Sequence, residues 1–279
     1  MYLMQLQLSD CFSFDSYCDG KSISLLTNEH HPKRRGLHMK IEVWSDFACP
    51  FCYIGKRRFE AALEPFAHKD EVEVVFRSFE LDPGAPKDND KDIHSILASK
   101  YGMSWEQAKA ANDNMTEQAK TVGLTYNFDT LVPTNTFDAH RLTQWAGEFG
   151  KKYEMTERLF KAYFTDSEHL GDRAVLARLA GEIGLDASAA ASMLESDAYT
   201  NDVRKDEGDA GRLGINGVPF FVINQKYGIS GAQPTQVFAE ALDNIWKEEH
   251  PLTLLGNSAD GDDLSCTDGS CQVPTDKKA

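Results

Sequence analysis

The stretch Lys40-Ile41-Glu42-Val43-Trp44-Ser45-Asp46-Phe47-Ala48-Cys49-Pro50-Phe51-Cys52 decides the fold. Residues 40–44 have the β-branched and aromatic content, and roughly the alternation, of a strand. From Pro50 onward, Phe51, Ile54, Phe59, Ala62 and Leu63 recur at helical spacing. Pro50 then falls in the first helical turn, where its missing N–H had no partner to lose. This places Cys49 at a helix N-terminus. Free backbone N–H groups and the positive end of the helix dipole stabilise an anion there, and the anion is the thiolate that attacks disulfides. Cys52 lies one turn further in and is able to close a small ring with Cys49. The pair holds two electrons as a dithiol and releases them as a disulfide. The competing reading is half of a zinc site, which needs two further ligands nearby in space. Strand-then-helix context favours redox exchange.

Working outward, composition excludes several classes. With 279 residues, 41% of them hydrophobic, the chain is long enough for one large domain or two small ones. No stretch approaches the roughly 20 apolar residues that span a bilayer. A net charge of −15 leaves no basic face for nucleic acid. Six cysteines are too few for a disulfide-stapled secreted scaffold, and they fall in local pairs: Cys11 with Cys18, Cys49 with Cys52, Cys266 with Cys271. Residues 1–38 have neither the positive n-region nor the uninterrupted apolar run of a secretory signal. They are expected to be a leader, an added segment or an over-long start, and disordered. Cys11 and Cys18 are then bystanders, and the expected location is cytoplasmic.

Folding is expected to begin at Met39. The first helix ends before Pro65, and residues 72–79 read as a second strand. After a turn cluster at 81–86 the period turns helical for about a hundred residues. Ser104 and Gln107 have the spacing of a capping box; Asp172 and Asp186 each stand where a helix cap belongs. Thr134-Asn135-Thr136 opens the helix that carries His140 and Arg141. A polar helix over about 199–213 follows. Strand signal returns at Phe220-Phe221-Val222-Ile223, a short strand pairs with it over 226–230, and a final helix starts at Pro234-Thr235. The expected class is α/β: a thioredoxin-like core from 39–86 and 198–250, with a mostly helical domain, 87–197, inserted after the second strand. Residues 251–279 are expected to be a flexible acidic tail.

Three segments carry a family resemblance. Ser45-Asp46-Phe47-Ala48-Cys49-Pro50-Phe51-Cys52-Tyr53-Ile54-Gly55, Asn135-Thr136-Phe137-Asp138-Ala139-His140-Arg141 and Gly214-Ile215-Asn216-Gly217-Val218-Pro219-Phe220-Phe221 together resemble the DsbA-like thioredoxin proteins of the FrnE branch. Related to that branch are the 2-hydroxychromene-2-carboxylate isomerases and the kappa-class glutathione transferases. The resemblance implies that Cys49 is the nucleophile, Cys52 the resolving thiol and Pro219 a cis-proline facing them. It implies that the Val218 backbone, with Pro50 and Phe51, receives substrate beside Cys49.

Two departures stand out. Relatives commonly bury a carboxylate six residues before the first cysteine as a proton acceptor; here that residue is Val43. Asp46 is either its substitute or a turn and capping residue. The Pro50-Phe51 dipeptide holds no histidine, so the helix start is expected to favour the Cys49 thiolate less than in DsbA itself. His140 and Arg141 either line a substrate groove or are packed helix residues.

The expected function is thiol–disulfide exchange on thiol- or disulfide-bearing proteins or small molecules, without nucleic acid or membrane. No cofactor beyond the redox pair and no metal is expected, with glutathione an eligible co-substrate. The alternative is an isomerase-like or glutathione-dependent enzyme; those relatives generally have serine where this chain has Cys49. In the tail, Cys266 and Cys271 are read as an auxiliary redox pair exchanging with Cys49–Cys52, as a metal clamp, or as thiols with no role.

Overall fold

The computed structural model describes residues 39–251. Cys11, Cys18, Cys266 and Cys271, with the expectations for residues 1–38 and for the tail beyond Pro251, lie outside the described residues.

Strand β1 (Met39–Ser45) leads into helix α1 (Pro50–Leu63), and strand β2 (Val72–Ser78) follows after a single 3₁₀ turn. Six helices come next: α2 (Ile93–Tyr101), α3 (Trp105–Lys120), α4 (Phe137–Gly147), α5 (Lys152–Phe164), α6 (Arg173–Glu182) and α7 (Ala187–Glu195). Helix α8 (Thr200–Arg212), strands β3 (Phe220–Ile223) and β4 (Tyr227–Ser230), and helix α9 (Thr235–Glu249) complete the described chain. The sheet order is β2-β1-β3-β4. β1 pairs parallel to β2 and antiparallel to β3, and β3 and β4 form a hairpin.

β1 is interior, so both of its faces are covered. Ile41 and Val43 pack with Phe59 of α1, Phe221 and Phe238 of α9. Trp44 faces the other way, against Ala210 of α8, Ile215 and Val222, and its indole N–H donates to the Asp206 carbonyl at 2.9 Å. The strand therefore reads as nearly continuous burial rather than alternation. Even Glu42 is buried, satisfied by Arg77 of β2. Val43 is fully part of this apolar layer.

Local signals placed the helices. Ser104 and Gln107 exchange both capping-box hydrogen bonds, at 3.2 and 2.9 Å. Asp172 caps α6 through the Ala174 N–H, and Asp186 caps α7 through Ser188 and Ala189. α4 opens after Thr134-Asn135-Thr136 as expected, with an unusual cap. Its N-cap, Thr136, makes no capping bond; Asn135 Oδ1 accepts from the Phe137 N–H instead, at 2.9 Å. The Thr136 hydroxyl is turned toward Asp46.

Candidate active site

Cys49 is the N-cap of α1, in extended conformation (φ −94°, ψ 110°), with Pro50 in the first turn and no side chain capping the helix. Pro50 carries no N–H and the Cys52 N–H donates to the Cys49 carbonyl at 3.0 Å, which leaves the Phe51 N–H as that first turn's donor. Its Sγ donates to the Val218 carbonyl at 3.5 Å, which fixes the segment before β3 against the start of α1. The Val218–Pro219 peptide bond is cis. Gly55 is the reason the two segments fit. A Cβ at that position would stand 3.0 Å from Pro219 Cγ and 3.4 Å from Ala232, so a larger residue would push Pro219 off α1.

Cys49 and Cys52 are both free thiols. Cys49 is only 5% exposed, yet it is not sealed in apolar packing. It lines a cleft of about 570 Å³ together with Pro50, Phe51 and Val218. Phe51 stands at the rim, 44% exposed. The opposite wall is apolar: Ile93, Ile96 and Leu97 of α2 with Met115 of α3, and Lys100 stands among them. Cys52 is 2% exposed and does not line the cleft; it sits behind Cys49. Burial pushes its thiol well above the ordinary range, and the neighbouring Cys49 and the charge of Asp46 add to this.

The structure therefore gathers Cys49, Pro50, Phe51 and Val218 on one cleft, with Cys52 and Pro219 directly supporting them. His140 and Arg141 do not line it. Arg141 is spent on Asp138 and on the carbonyls that end α7 and precede α8. His140 packs its ring 4.8 Å from Phe47 and approaches Asp46. Asp46 does not cap α1. It holds the turn through the Ala48 N–H at 3.2 Å and also takes the Leu81 N–H and the Thr136 hydroxyl, each at 2.7 Å. Tyr126, which the sequence reading missed, donates to the Pro50 carbonyl at 2.7 Å and ties the helical segment to the Cys-x-x-Cys turn. Among the described residues no group of three or more His, Cys, Asp or Glu is placed to hold a metal ion. No helix among them is long and apolar enough to cross a membrane.

A mixed four-stranded sheet flanked by helices, with the first helix starting directly after its first strand, defines a thioredoxin-like α/β fold. Residues 40–243 match the DSBA-like thioredoxin domain, and the chain belongs to that family. It is similar to the uncharacterized protein YwbO of Bacillus subtilis, 32% identical over 216 residues, which span 75% of this chain and 98% of that protein. A crystal structure of a probable DsbA oxidoreductase from Streptomyces coelicolor is similar at 44% identity and a TM-score of 0.74, covering 85% of this chain and all of the other. A 2-hydroxychromene-2-carboxylate isomerase shares the fold at 15% identity, with a TM-score of 0.58 over 77% of this chain and 100% of that one.

Proposed function

We propose that this protein is a thiol–disulfide oxidoreductase of the FrnE branch, with Cys49 as nucleophile and Cys52 as resolving thiol. One observation carries the reading: the Cys49 residue opens onto a substrate-sized cleft while its partner thiol lies one turn behind, out of the cleft. In the reductive direction the Cys49 sulfur attacks a substrate disulfide. One substrate sulfur leaves with the electron pair of the broken bond, and a mixed disulfide forms on Cys49. Cys52 then attacks Cys49, closing the intramolecular disulfide and releasing the second substrate thiol. Run backward, the same steps oxidise a dithiol. The Val218 carbonyl, which the Cys49 thiol occupies at rest, becomes free for a substrate N–H once that thiol has reacted. Pro219 keeps Val218 in place by resting on Gly55.

The substrates are thiol- or disulfide-bearing proteins or small molecules, with glutathione as a candidate co-substrate. The proposed compartment is the cytoplasm, where such disulfides are transient and catalytic. Reduction of insulin by dithiothreitol tests the reading. The wild type should accelerate it and Cys49→Ser should not. An isomerase acting on a small aromatic substrate would instead leave insulin untouched and tolerate that serine.

A further inference from the structure

The wall of α2 and α3 carries one buried polar group that the exchange steps leave unused. Along the cleft α2 presents Ile93, Ile96 and Leu97, and α3 presents Ala111, Asn112 and Met115. Asn112 is only 6% exposed, so a carboxamide is embedded among apolar neighbours. Burying an amide is unfavourable unless its donors and acceptors find partners. Here the nitrogen has one and the oxygen has none. Nδ2 donates to His94 Nδ1 at 3.0 Å, the one hydrogen bond of this side chain among the described residues. Oδ1 is not sealed, since the one sealed side-chain nitrogen or oxygen without a partner among the described residues is His140 Nε2. The oxygen therefore keeps access to the cleft that its residue lines.

The orientation of the amide is fixed from behind. His94 is buried, and its Nε2 lies 3.1 Å from Asp129 Oδ1. The contacts with His94 and Lys109 hold the Asp129 carboxyl below its usual range, so it is ionised and only accepts. Nε2 must then carry the hydrogen, which leaves Nδ1 of the neutral ring as a lone pair facing Asn112. Only the NH₂ group answers a lone pair; turning the amide over would set two acceptors against each other. Trp105 packs edge-on to the imidazole, with ring centroids 5.2 Å apart, and holds it from another side. The other buried polar side chains on the cleft are already engaged. The Thr134 hydroxyl donates to the Lys87 carbonyl, the Thr136 hydroxyl donates to Asp46, and Tyr163 meets the Thr134 backbone.

We propose that Asn112 Oδ1, held in place by His94 and Asp129, selects the substrate by accepting an amide N–H that flanks the reacting disulfide. This rests on the exchange reading above and narrows its substrates. They are disulfides whose sulfur-bearing arms carry amides, the chemistry of a cysteine held in a peptide bond. Asn112 makes no bond to sulfur, and no proton or electron moves in the contact; it sets specificity. A site that presents a buried acceptor discriminates against an analogue that lacks the donor, because the acceptor is then left unpaired.

The test uses a matched pair of probes, bis(2-acetamidoethyl) disulfide and bis(2-acetoxyethyl) disulfide, which differ only in amide N–H against ester oxygen. Each oxidises the reduced full chain, and the rate of Cys49–Cys52 disulfide formation is read by acid quench, alkylation and peptide mass. Oxidation of dithiothreitol by the same probes gives the intrinsic ratio of their reactivities. The wild type should prefer the amide about tenfold beyond that ratio, the size of one hydrogen bond to a buried acceptor. Asn112→Leu should bring the preference down to the dithiothreitol value, and Asn112→Asp, which keeps an acceptor, should retain it. A wild-type preference equal to that of dithiothreitol overturns the proposal without any variant. So does an unchanged preference in folded Asn112→Leu, or its loss in folded Asn112→Asp. A ratio of rates does not move with stability alone, so a purely structural Asn112 would leave it untouched. If neither probe forms the Cys49–Cys52 disulfide, the exchange reading falls and takes this inference with it, a failure distinct from the others.

Discussion

The cleft wall that carries Cys49 is assembled from the end of β1, the first turn of α1 and the segment before β3, whereas the facing wall comes from α2 and α3. In the first wall the groups around Cys49 are tied to one another, although Phe51 stands exposed at the rim. Cys49 reaches Val218, Asp46 holds three donors, Tyr126 holds Pro50, and Pro219 rests on Gly55. The second wall is thinly anchored. α2 buries only His94, which is held by Asp129 and Asn112, and α3 buries only Ala108, Asn112 and Ala119. Sparse burial of this kind marks the low-stability end of a fold. Under the proposed exchange reaction, bond-making falls to the rigid wall and choice of substrate to the adaptable one.

The hardest blow to that contrast comes from the rigid wall. Cys49→Ser should drop insulin reduction to the uncatalysed rate with the fold intact by circular dichroism. Residual catalysis would mean that another thiol carries the chemistry.

Asp138 probes how the adaptable wall is tethered. It is buried on α4 and pairs with Lys87, in the loop leading to α2, and with Arg141 and Arg173. Burial raises its carboxyl, but these three cations outweigh that and hold it below its usual 3.8. A depressed native value stabilises the fold above the unfolded value, and that stability is lost as pH falls through the native one. Asp138→Asn should cost about 3 kcal/mol at pH 7, as for breaking a buried pair. The loss should shrink below about pH 4, read as Tm against pH. A pH-independent difference would contradict the ion-pair account.

Gly55→Ala should cost about 1–3 kcal/mol by overpacking against Pro219 and should lower turnover along with stability. The smallest effect belongs to the adaptable wall. Ile96→Ser should raise KM for an apolar disulfide peptide about tenfold, the size of one lost pocket contact, and leave kcat within twofold. A fall in kcat with KM unchanged would reverse the division between the walls.

What could be read beforehand was whatever lies close in sequence. The strand-to-helix passage through Cys49, the capping box at Ser104 and the Asp172 and Asp186 caps each depend on neighbours within a few residues. The burial of Glu42 was not legible, because its partner Arg77 arrives only when β2 pairs with β1. The Thr136 hydroxyl's bond to Asp46 was not legible either, because Asp46 reaches it only in the folded chain. His140 read as a packed helix histidine or as a groove residue, since its spacing along α4 does not say which loop lies against it. The cis bond before Pro219 came from family resemblance alone, as nothing in residues 214–221 distinguishes it locally.

The central claim is that the Cys49 sulfur forms the covalent link to substrate, and trapping tests it most directly. Full-length Cys52→Ser protein is incubated with a disulfide-bearing peptide, and the adduct is located by mass spectrometry after proteolysis. The account predicts a stable peptide adduct on Cys49. Modification at another cysteine in its place, or no adduct at all, would contradict it.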